Sequence, residues 1–337
     1  MEHNLRSVDL EQFIAQHAEE YACLLVIPYL FGTSYWTIRT APERSILIPC
    51  LHDEPLARLG IFRSMLEQAA AIFFNSEEEE AFATHVLGVT NPYRACLGFG
   101  FPDHPEPGNP HRFREHSGVT GPFLLYAGRL EPGKNVPQLI DYFIRYKAER
   151  PGALTLALSG TGDISPSSRH DIVALGMLPR EVLNDAFASA LALCQLSLNE
   201  SFSLVLMESW LQGRPVIVHA DCAVTNGHVE RSGGGYAVRS YEDFRAAVDA
   251  LLANDEHAAM LGARGKTYVI ERYTWSQLLP RIEENIARFS RPRSLYARLA
   301  RRGVVRALEF TWQRFEADFL DLVERALAET RPQAYAD

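Results

Sequence analysis

Apolar runs of only four or five residues recur along this chain, alternating with longer segments whose apolar residues fall three or four apart. Such runs are too short for a helix, and with no polar alternation they suit strands buried on both faces of a sheet. The first is Cys23-Leu-Leu-Val-Ile27, stopped by Pro28 and preceded by a helix in which Leu10, Phe13, Ile14 and Tyr21 fall near one face, with Asp9 close to its start. Ser45–Ile48 and Ala71–Phe74 repeat the pattern, with helices expected from about Leu56 to Ala70 and from about Ser76. Ser76 followed by Glu79 has the form of a capping box. Alternating strands and helices imply a parallel sheet with helices on its faces.

Between Pro102 and Gly121 the periodicity stops. Pro102, Pro105, Pro107, Pro110 and three histidines replace it, which reads as an interdomain linker. A second series then begins. Strands are expected at Pro122–Tyr126, Leu154–Ser159, Asp171–Ala174, Leu191–Leu196 and Val216–His219. Helices are expected at Val136–Arg150, Arg180–Ala188, Ser203–Gln212, Tyr241–Ala253 and His257–Tyr273, and Gly233-Gly-Gly235 makes a turn before one more short strand. This is a doubly wound α/β pattern, a class that binds ligands at the carboxyl ends of its strands. The length of 337 residues agrees with two domains at roughly 150 residues each.

Composition narrows the function. A formal charge of −9 argues against a general nucleic-acid binder, which needs a basic face. The five cysteines are scattered with no CxxC pair, which suits reduced thiols and a cytoplasmic setting. No basic leader precedes an apolar run, and the longest apolar stretch, Ala22–Phe31, falls short of the ~20 residues needed to span a bilayer. From Arg291 to Arg306 there are six arginines and no acid, interleaved with Leu295, Leu299 and Val304. That segment reads either as an outer helix with a solvated arginine face or as a peripheral contact with anionic lipid at the inner membrane face.

Two segments carry chemistry. In Glu200-Ser-Phe-Ser-Leu-Val-Leu-Met-Glu208 the first glutamate is expected in the loop after a strand and the second inside the next helix. Ser203 is placed to cap that helix, leaving its first N–H groups to face an anion. The spacing alone is common, and its bland reading is two exposed glutamates beside an amphipathic helix. The strand-loop-helix junction, where such a fold holds its ligand, favours the functional reading. The segment Tyr126-Ala-Gly128-Arg129-Leu-Glu-Pro-Gly-Lys134 puts a guanidinium and an ammonium in one loop, both suited to a pyrophosphate. By itself it is equally a solvated loop with two surface cations.

Taken in order, Gly128-Arg-Leu130 with Lys134, Gly160-Thr-Gly162, Glu200 with Glu208, and Tyr273-Thr-Trp275 resemble the pattern of the family 4 retaining glycosyltransferases, members of the GT-B fold class. The resemblance covers about residues 22 to 290 and is strong from 120 onward. It implies two facing Rossmann-like domains and a nucleotide-diphosphate sugar as co-substrate, with no cofactor. Arg129, Lys134, Gly128, Ser203 and Leu204 would bind the donor diphosphate. Glu200 would contact the transferred sugar, helped by the backbone at Ser201 and Phe202, and Glu208 would hold the ribose. His52, in Pro49-Cys-Leu-His52-Asp53-Glu54-Pro55 after a strand, resembles the family histidine facing the donor sugar, so Glu200 and His52 are the expected catalytic pair. Ser201 and Ser203 stand where the family often has glycine. His219 and Asp221 follow a strand on the ligand side and could line the cleft.

Other chemistries are disfavoured. Gly160-x-Gly162 lacks a third glycine and meets Pro166 rather than a helix start, so a dinucleotide site is not expected. There is no G-x-S-x-G elbow, H-E-x-x-H pair, cysteine cluster or D-x-D element, and no metal site is expected.

The organisation expected is a partial N-terminal Rossmann-like, acceptor-side domain (1–101), a linker (102–121), a nucleotide-sugar-binding domain (122–290) and a helical tail (291–337). About three strands precede the linker, where the family has six or seven, and its early glycine-rich loop is absent. A Rossmann sheet without its first strands exposes a strand edge that invites association. Three origins stay open: a partner chain completing the domain, a reorganised smaller lobe, or a truncated reading frame. The expected activity is transfer of a sugar to a hydroxyl acceptor, a glycan or lipid-linked sugar, with retention. The alternative is a catalytically weak nucleotide-sugar-binding module of a larger assembly.

Overall fold

The computed structural model describes residues 6–164 and 169–289. The Arg291–Arg306 segment, the proposed lipid contact and the 291–337 tail lie outside the described residues. The first lobe runs α1 (Val8–His17), β1 (Leu24–Val26), α2 (Gly32–Thr40), β2 (Ser45–Leu47), α3 (Gly60–Gln68), β3 (Ala71–Phe74), α4 (Glu77–Ala81) and β4 (Arg94–Cys96). The second begins with α5 (Pro110–Ser117), β5 (Phe123–Ala127), α6 (Val136–Glu149), β6 (Thr155–Ser159), β7 (Ile172–Gly176) and α7 (Arg180–Ser189). It continues through β8 (Ala192–Gln195), α8 (Leu204–Leu211), β9 (Val216–His219), α9 (Ala223–Ser232) and β10 (Gly235–Val238). Then come α10 (Tyr241–Ala253), α11 (Asp255–Tyr273) and α12 (Trp275–Phe289). Among the described residues no helix is long and apolar enough to cross a membrane.

Both sheets are parallel, in the orders β1-β2-β3-β4 and β10-β9-β8-β5-β6-β7. The second order fixes where a ligand can sit. From β5 the chain winds outward through β6 and β7, then returns to β8 on the other side of β5 and winds away through β9 and β10. The connections after β5 and β8 therefore leave on opposite faces and open a crevice at the carboxyl ends of those two strands. Alternate residues feed the two cores: Leu125, Ala127 and Leu193 pack on one face, Leu124, Tyr126 and Cys194 on the other. In the first sheet β1 is an edge, and Leu25 and Ile27 there are 55% and 48% exposed.

Several elements depart from the sequence expectation, among them a fourth strand in the first lobe, β4, and the helix α9, neither of which was expected. The stretch read as a linker contains α5, because Asn109 accepts the N–H groups of His111 and Arg112 while Pro110 takes the first helical position. Gly118, at φ 70°, ends it, and the buried Phe113 ring stacks on Phe123. Helix α12, placed by sequence in the 122–290 unit, packs instead on the first sheet. Its apolar face (Leu278, Ile282, Ile286, Phe289) meets Ile46, Phe73 and Leu97. Helix α2 was not foreseen; it has weak helix formers and is held by its buried Ser34, Thr37 and Ile38.

The α5 contact makes a pH-dependent prediction. Arg112 donates to both carboxylate oxygens of Asp185, whose side chain is fully buried, and Asn109 N–H adds a third bond at 2.6 Å. The Arg112 hydrogen bonds hold the Asp185 carboxyl below its ordinary value of 3.8. A carboxyl whose folded pKa is depressed stabilises the fold fully above the unfolded value and progressively less as pH falls through the folded one. Thermal unfolding followed below about pH 5 should therefore show an acid-induced loss that Arg112→Ala lacks. At neutral pH that variant should melt several degrees lower, because it leaves a buried carboxylate with one backbone donor.

Candidate functional site

The loop after β5 is built by glycines and a tyrosine. Gly128 turns with φ 149°, the Tyr126 hydroxyl donates to the Arg129 carbonyl at 2.7 Å, and Gly128 and Leu130 N–H donate to Ser159 and Thr161 carbonyls at 2.9 Å each. This last pairing explains Gly160-x-Gly162. A Cβ on Gly160 would lie 1.8 Å from the Gly128 carbonyl oxygen, and one on Gly162 would lie 2.3 Å from that of Leu130. The two glycines let two backbones touch, a structural task distinct from holding a dinucleotide.

Lys134 and Glu200 meet at the crevice. Lys134 Nζ lies 2.9 Å from Glu200 Oε1, with the Glu200 side chain only 11% exposed. Gln195 Nε2, at the end of β8, approaches the same oxygen at 3.2 Å, and Asn135 Nδ2 ties the two loops by donating to the Leu196 carbonyl at 3.0 Å. The Glu200 and Glu131 charges, after burial, help push the Tyr126 hydroxyl far above its ordinary value, so it stays a proton donor to the loop. Arg129 lies outside this contact, 73% exposed on the rim and 3.1 Å from Glu131. The cationic loop thus sends its lysine inward and keeps its arginine in solvent.

Ser203 corrects the capping expectation. Its backbone is left-handed (φ 69°, ψ 78°), and its side chain makes no capping bond to α8. Its buried Oγ has no hydrogen-bond partner among the described residues. A positive φ swings Cβ away from the geometry that lets a serine oxygen reach the second or third helical N–H, which needs an extended backbone. The consequence favours a ligand: the first N–H groups of α8 carry no side-chain cap, and a buried hydroxyl beside them is unmatched.

The neighbours differ in what they can offer. The Phe202 ring is enclosed by Phe99, Phe101, His228 and Tyr273 at centroid separations of 5.1 to 6.4 Å, which commits its side chain to the core. Ser201 is half-buried, and Leu204, the first residue of α8, is 46% exposed. About one turn further on, Glu208 is 11% exposed and meets Arg180 Nη1 at 2.5 Å. Burial raises its carboxyl above the ordinary range, and the Arg180 charge and hydrogen bond oppose this. Arg180 was not singled out from the sequence; its signal was its place at the start of a helix after a strand on the ligand side. Glu200 and Glu208 each hold a cation, Lys134 and Arg180, around the start of α8.

Two histidines divide. His219 is buried and its Nδ1 accepts Asp221 N–H at 3.1 Å, while Asp221 pairs with Arg239 at 2.8 Å. Burial lowers its pKa, so His219 stays neutral and serves the turn after β9. His52 sits in the loop after β2 with its side chain 32% exposed and Nε2 3.6 Å from Glu54, which also accepts the Tyr29 hydroxyl. Asp53 beside it pairs with Arg58 at 2.6 Å.

Residues 109–268 match the model of the family described as Glycosyl transferases group 1. Among curated relatives, the D-inositol 3-phosphate glycosyltransferase of Stackebrandtia nassauensis is 29% identical over 195 residues, 50% of this chain and 43% of that one. The trehalose synthase of Rubrobacter xylanophilus is 28% identical over 182 residues, 48% of this chain and 42% of that one. The chain spans 19% to 57% of the lengths of the curated relatives it matches. Among solved structures, Anabaena Alr3699/HepE in complex with UDP and glucose is 18% identical with a TM-score of 0.69, covering 83% of this chain and 81% of that one. Sucrose-phosphate synthase from Thermosynechococcus elongatus is 19% identical with the same TM-score of 0.69, covering 82% and 76%. The fold is GT-B, two Rossmann-like α/β lobes with the smaller sheet first, and residues 109–268 are similar to the group 1 glycosyl transferases.

Proposed function

We propose that this chain is a retaining glycosyltransferase that moves a sugar from a nucleotide-diphosphate sugar to a hydroxyl acceptor in glycan or glycolipid synthesis. One observation carries this reading: two paired carboxylates, Glu200 with Lys134 and Glu208 with Arg180, flank a helix start that the Ser203 side chain leaves uncapped. A diphosphate placed there meets the Lys134 ammonium and the α8 N–H groups, with Arg129 on the rim. Glu200 then faces the sugar hydroxyls, and Glu208 accepts from the ribose. The HepE structure named with UDP and glucose supports a donor of this kind.

In the reaction the bond between the anomeric carbon and the phosphate oxygen breaks, its electron pair leaving with the diphosphate. The acceptor oxygen bonds the anomeric carbon on the same face, and its proton passes to the departing phosphate oxygen. Lys134 and the positive end of α8 oppose the charge that grows on the leaving group, which is where fixed donors lower a barrier most. With these cations in place the chemistry proceeds without a metal. His52, from the other lobe, supplies an imidazole to the sugar or the reacting centre.

A thermal-shift screen over UDP-, GDP- and ADP-sugars, followed by transfer of radiolabelled sugar, tests the reading. At a ligand concentration 100 times Kd the folded state gains about 2.7 kcal/mol, enough for a rise of several degrees. Glu208→Ala should raise the nucleotide Kd about tenfold or more, since hydrogen bonds to a charged partner are worth roughly 1.5–3 kcal/mol each. No shift with any donor, and unchanged calorimetric affinity in Glu208→Ala, would sink it. The exposed β1 edge, with Leu25 55% exposed, favours a second reading as a nucleotide-sugar-binding module of a larger assembly. Donor binding without transfer or slow hydrolysis would select that one.

A further inference from the structure

The four consecutive glutamates at the start of α4 look like a solvated acidic run, yet every one of them has a partner, Arg231 serving two of them. Glu77 and Glu78 reach across to the second lobe, where Arg231 of α9 lies 3.7 Å from Glu77 and 2.5 Å from Glu78. The contact is close: a Cβ on Gly227 of α9 would fall 2.0 Å from Glu78 Oε1. Glu80 pairs with Arg94 of β4 at 3.3 Å. Glu79 points inward and is 2% exposed. Its N–H is bonded to Ser76 Oγ at 3.1 Å as the capping box predicts, but its carboxylate goes further than the cap. One oxygen accepts the Asn75 N–H and the other the Leu51 N–H, in the loop that carries His52.

That loop is fastened at several points. Ile48 N–H donates to the Val26 carbonyl at 2.9 Å, and Tyr29 N–H donates to the Pro49 carbonyl at 3.0 Å. Cys50 is left-handed at φ 56°, a conformation a non-glycine residue keeps only when its surroundings impose it. Leu51 is fully buried, and Glu54 is held by the hydroxyl of the fully buried Tyr29. Between Leu51 and Glu54 only His52 and Asp53 project.

From this arrangement we propose that Glu79 is a positioning residue for His52: it ties the His52 loop to α4, which the Glu78–Arg231 pair docks onto the lobe bearing Glu200. The inference rests on the glycosyltransferase reading, in which His52 and Glu200 face one sugar. Its physical basis is preorganisation, since misplacing a reacting group by about 1 Å can cost about 100-fold in rate. Burial pushes the Glu79 carboxyl up to about 8, against the Asn75 and Leu51 N–H groups that sit one on each oxygen; the form those two donors hold is the carboxylate, which accepts at both oxygens. A glutamine has one acceptor and one donor, so its NH2 would confront either Leu51 N–H or Asn75 N–H.

The test uses the full chain and the variants Glu79→Gln, His52→Ala and the pair together. In Glu79→Gln, amide exchange at Leu51 should speed at least tenfold and kcat should fall about 10- to 100-fold. The calorimetric nucleotide Kd should stay within about twofold, because the nucleotide contacts lie on the other lobe. On the His52→Ala background, Glu79→Gln should cost no more than about twofold further, the coupling expected of two residues acting as one unit. A lower melting temperature with unchanged kcat below the transition, or full additivity with His52→Ala, overturns the positioning role. Should Glu79→Gln fail to fold, Tyr29→Phe loosens the same loop at its Glu54 end; a kcat fall of about threefold or more at constant nucleotide Kd supports the proposal, and no change overturns it. Absence of transfer by the unsubstituted chain with every donor counts against the glycosyltransferase reading instead. The exchange measurement needs no turnover, and unchanged exchange at Leu51 in Glu79→Gln overturns the tie itself.

Discussion

Lys134→Ala should lower sugar transfer about 100- to 1000-fold, the size of effect seen when one fixed donor to developing negative charge is removed. The resting structure gives the reason and a second consequence. Lys134 Nζ is 2.9 Å from Glu200 Oε1, and the two side chains are 22% and 11% exposed. Removing the ammonium leaves a nearly buried carboxylate with the Gln195 amide at 3.2 Å as its remaining partner. Breaking a buried pair on one side costs about 3–5 kcal/mol, and partial exposure brings the expectation here to about 2 kcal/mol. The variant should therefore melt lower even without ligand, and it should lose the melting-temperature rise on adding a nucleotide sugar. Lys134→Arg should restore little, since a planar fork cannot take the place of a compact charge wedged against one oxygen. Arg129→Ala is the informative contrast. Its guanidinium is 73% exposed and pairs with Glu131 on the rim, so its loss should reduce transfer by no more than about tenfold. Equal effects at both positions, measured by steady-state transfer and calorimetry, would contradict the placement of the diphosphate beside Lys134.

Gly160→Ala should be the most damaging single methyl in the second lobe, costing roughly 4 kcal/mol in denaturant unfolding and removing transfer activity with it. Two constraints add. The backbone sits at φ 136°, which a side chain resists, and the new Cβ would lie 1.8 Å from the carbonyl oxygen of Gly128. That oxygen is backbone and cannot rotate away. Relief requires parting the loop after β5 from the end of β6, which breaks the Gly128 N–H to Ser159 carbonyl bond of 2.9 Å at the root of the loop carrying Arg129 and Lys134. Gly133→Ala supplies the control within the same loop, because its Cβ would meet nothing nearer than Glu131 Oε1 at 3.7 Å. That change should be within about 0.5 kcal/mol of neutral and leave transfer intact. A Gly160→Ala protein as stable as Gly133→Ala would show that the loops after β5 and β6 are not locked together.

These two outcomes also separate the structural part of the site from its chemical part. Gly160 shapes the loop without touching ligand, whereas Lys134 would touch it. Loss of stability without specific loss of nucleotide affinity belongs to the first kind. Loss of affinity beyond what stability explains belongs to the second.

Most of the strands were legible in the sequence because burial on both faces writes itself as an unbroken apolar run. Ala71–Phe74 and Val216–His219 match the observed strands residue for residue, and Tyr241–Ala253 matches its helix. Those signals are local: each depends on a residue and on neighbours within one turn or one pleat. The sequence put Lys134 and Glu200 in loops on the ligand side of one domain, but their ion pair follows from the adjacency of β5 and β8, which only the fold supplies. Tertiary structure alone decided the rest. The sign of φ at Ser203 turned an expected cap into an open helix start, and a serine is compatible with either backbone. Arg180 became the partner of Glu208 through the packing of α7 beside α8, across 28 residues of chain. The apolar stripe of α12 announced a buried face but not which sheet would bury it, and it crossed to the first lobe. Glu79 was legible as the partner of Ser76 in a capping box, but its bond to Leu51 appeared only with the fold. Periodicity records that a face is buried and that a group is charged; what lies against that face or charge depends on residues distant in the chain, and folding alone brings them there.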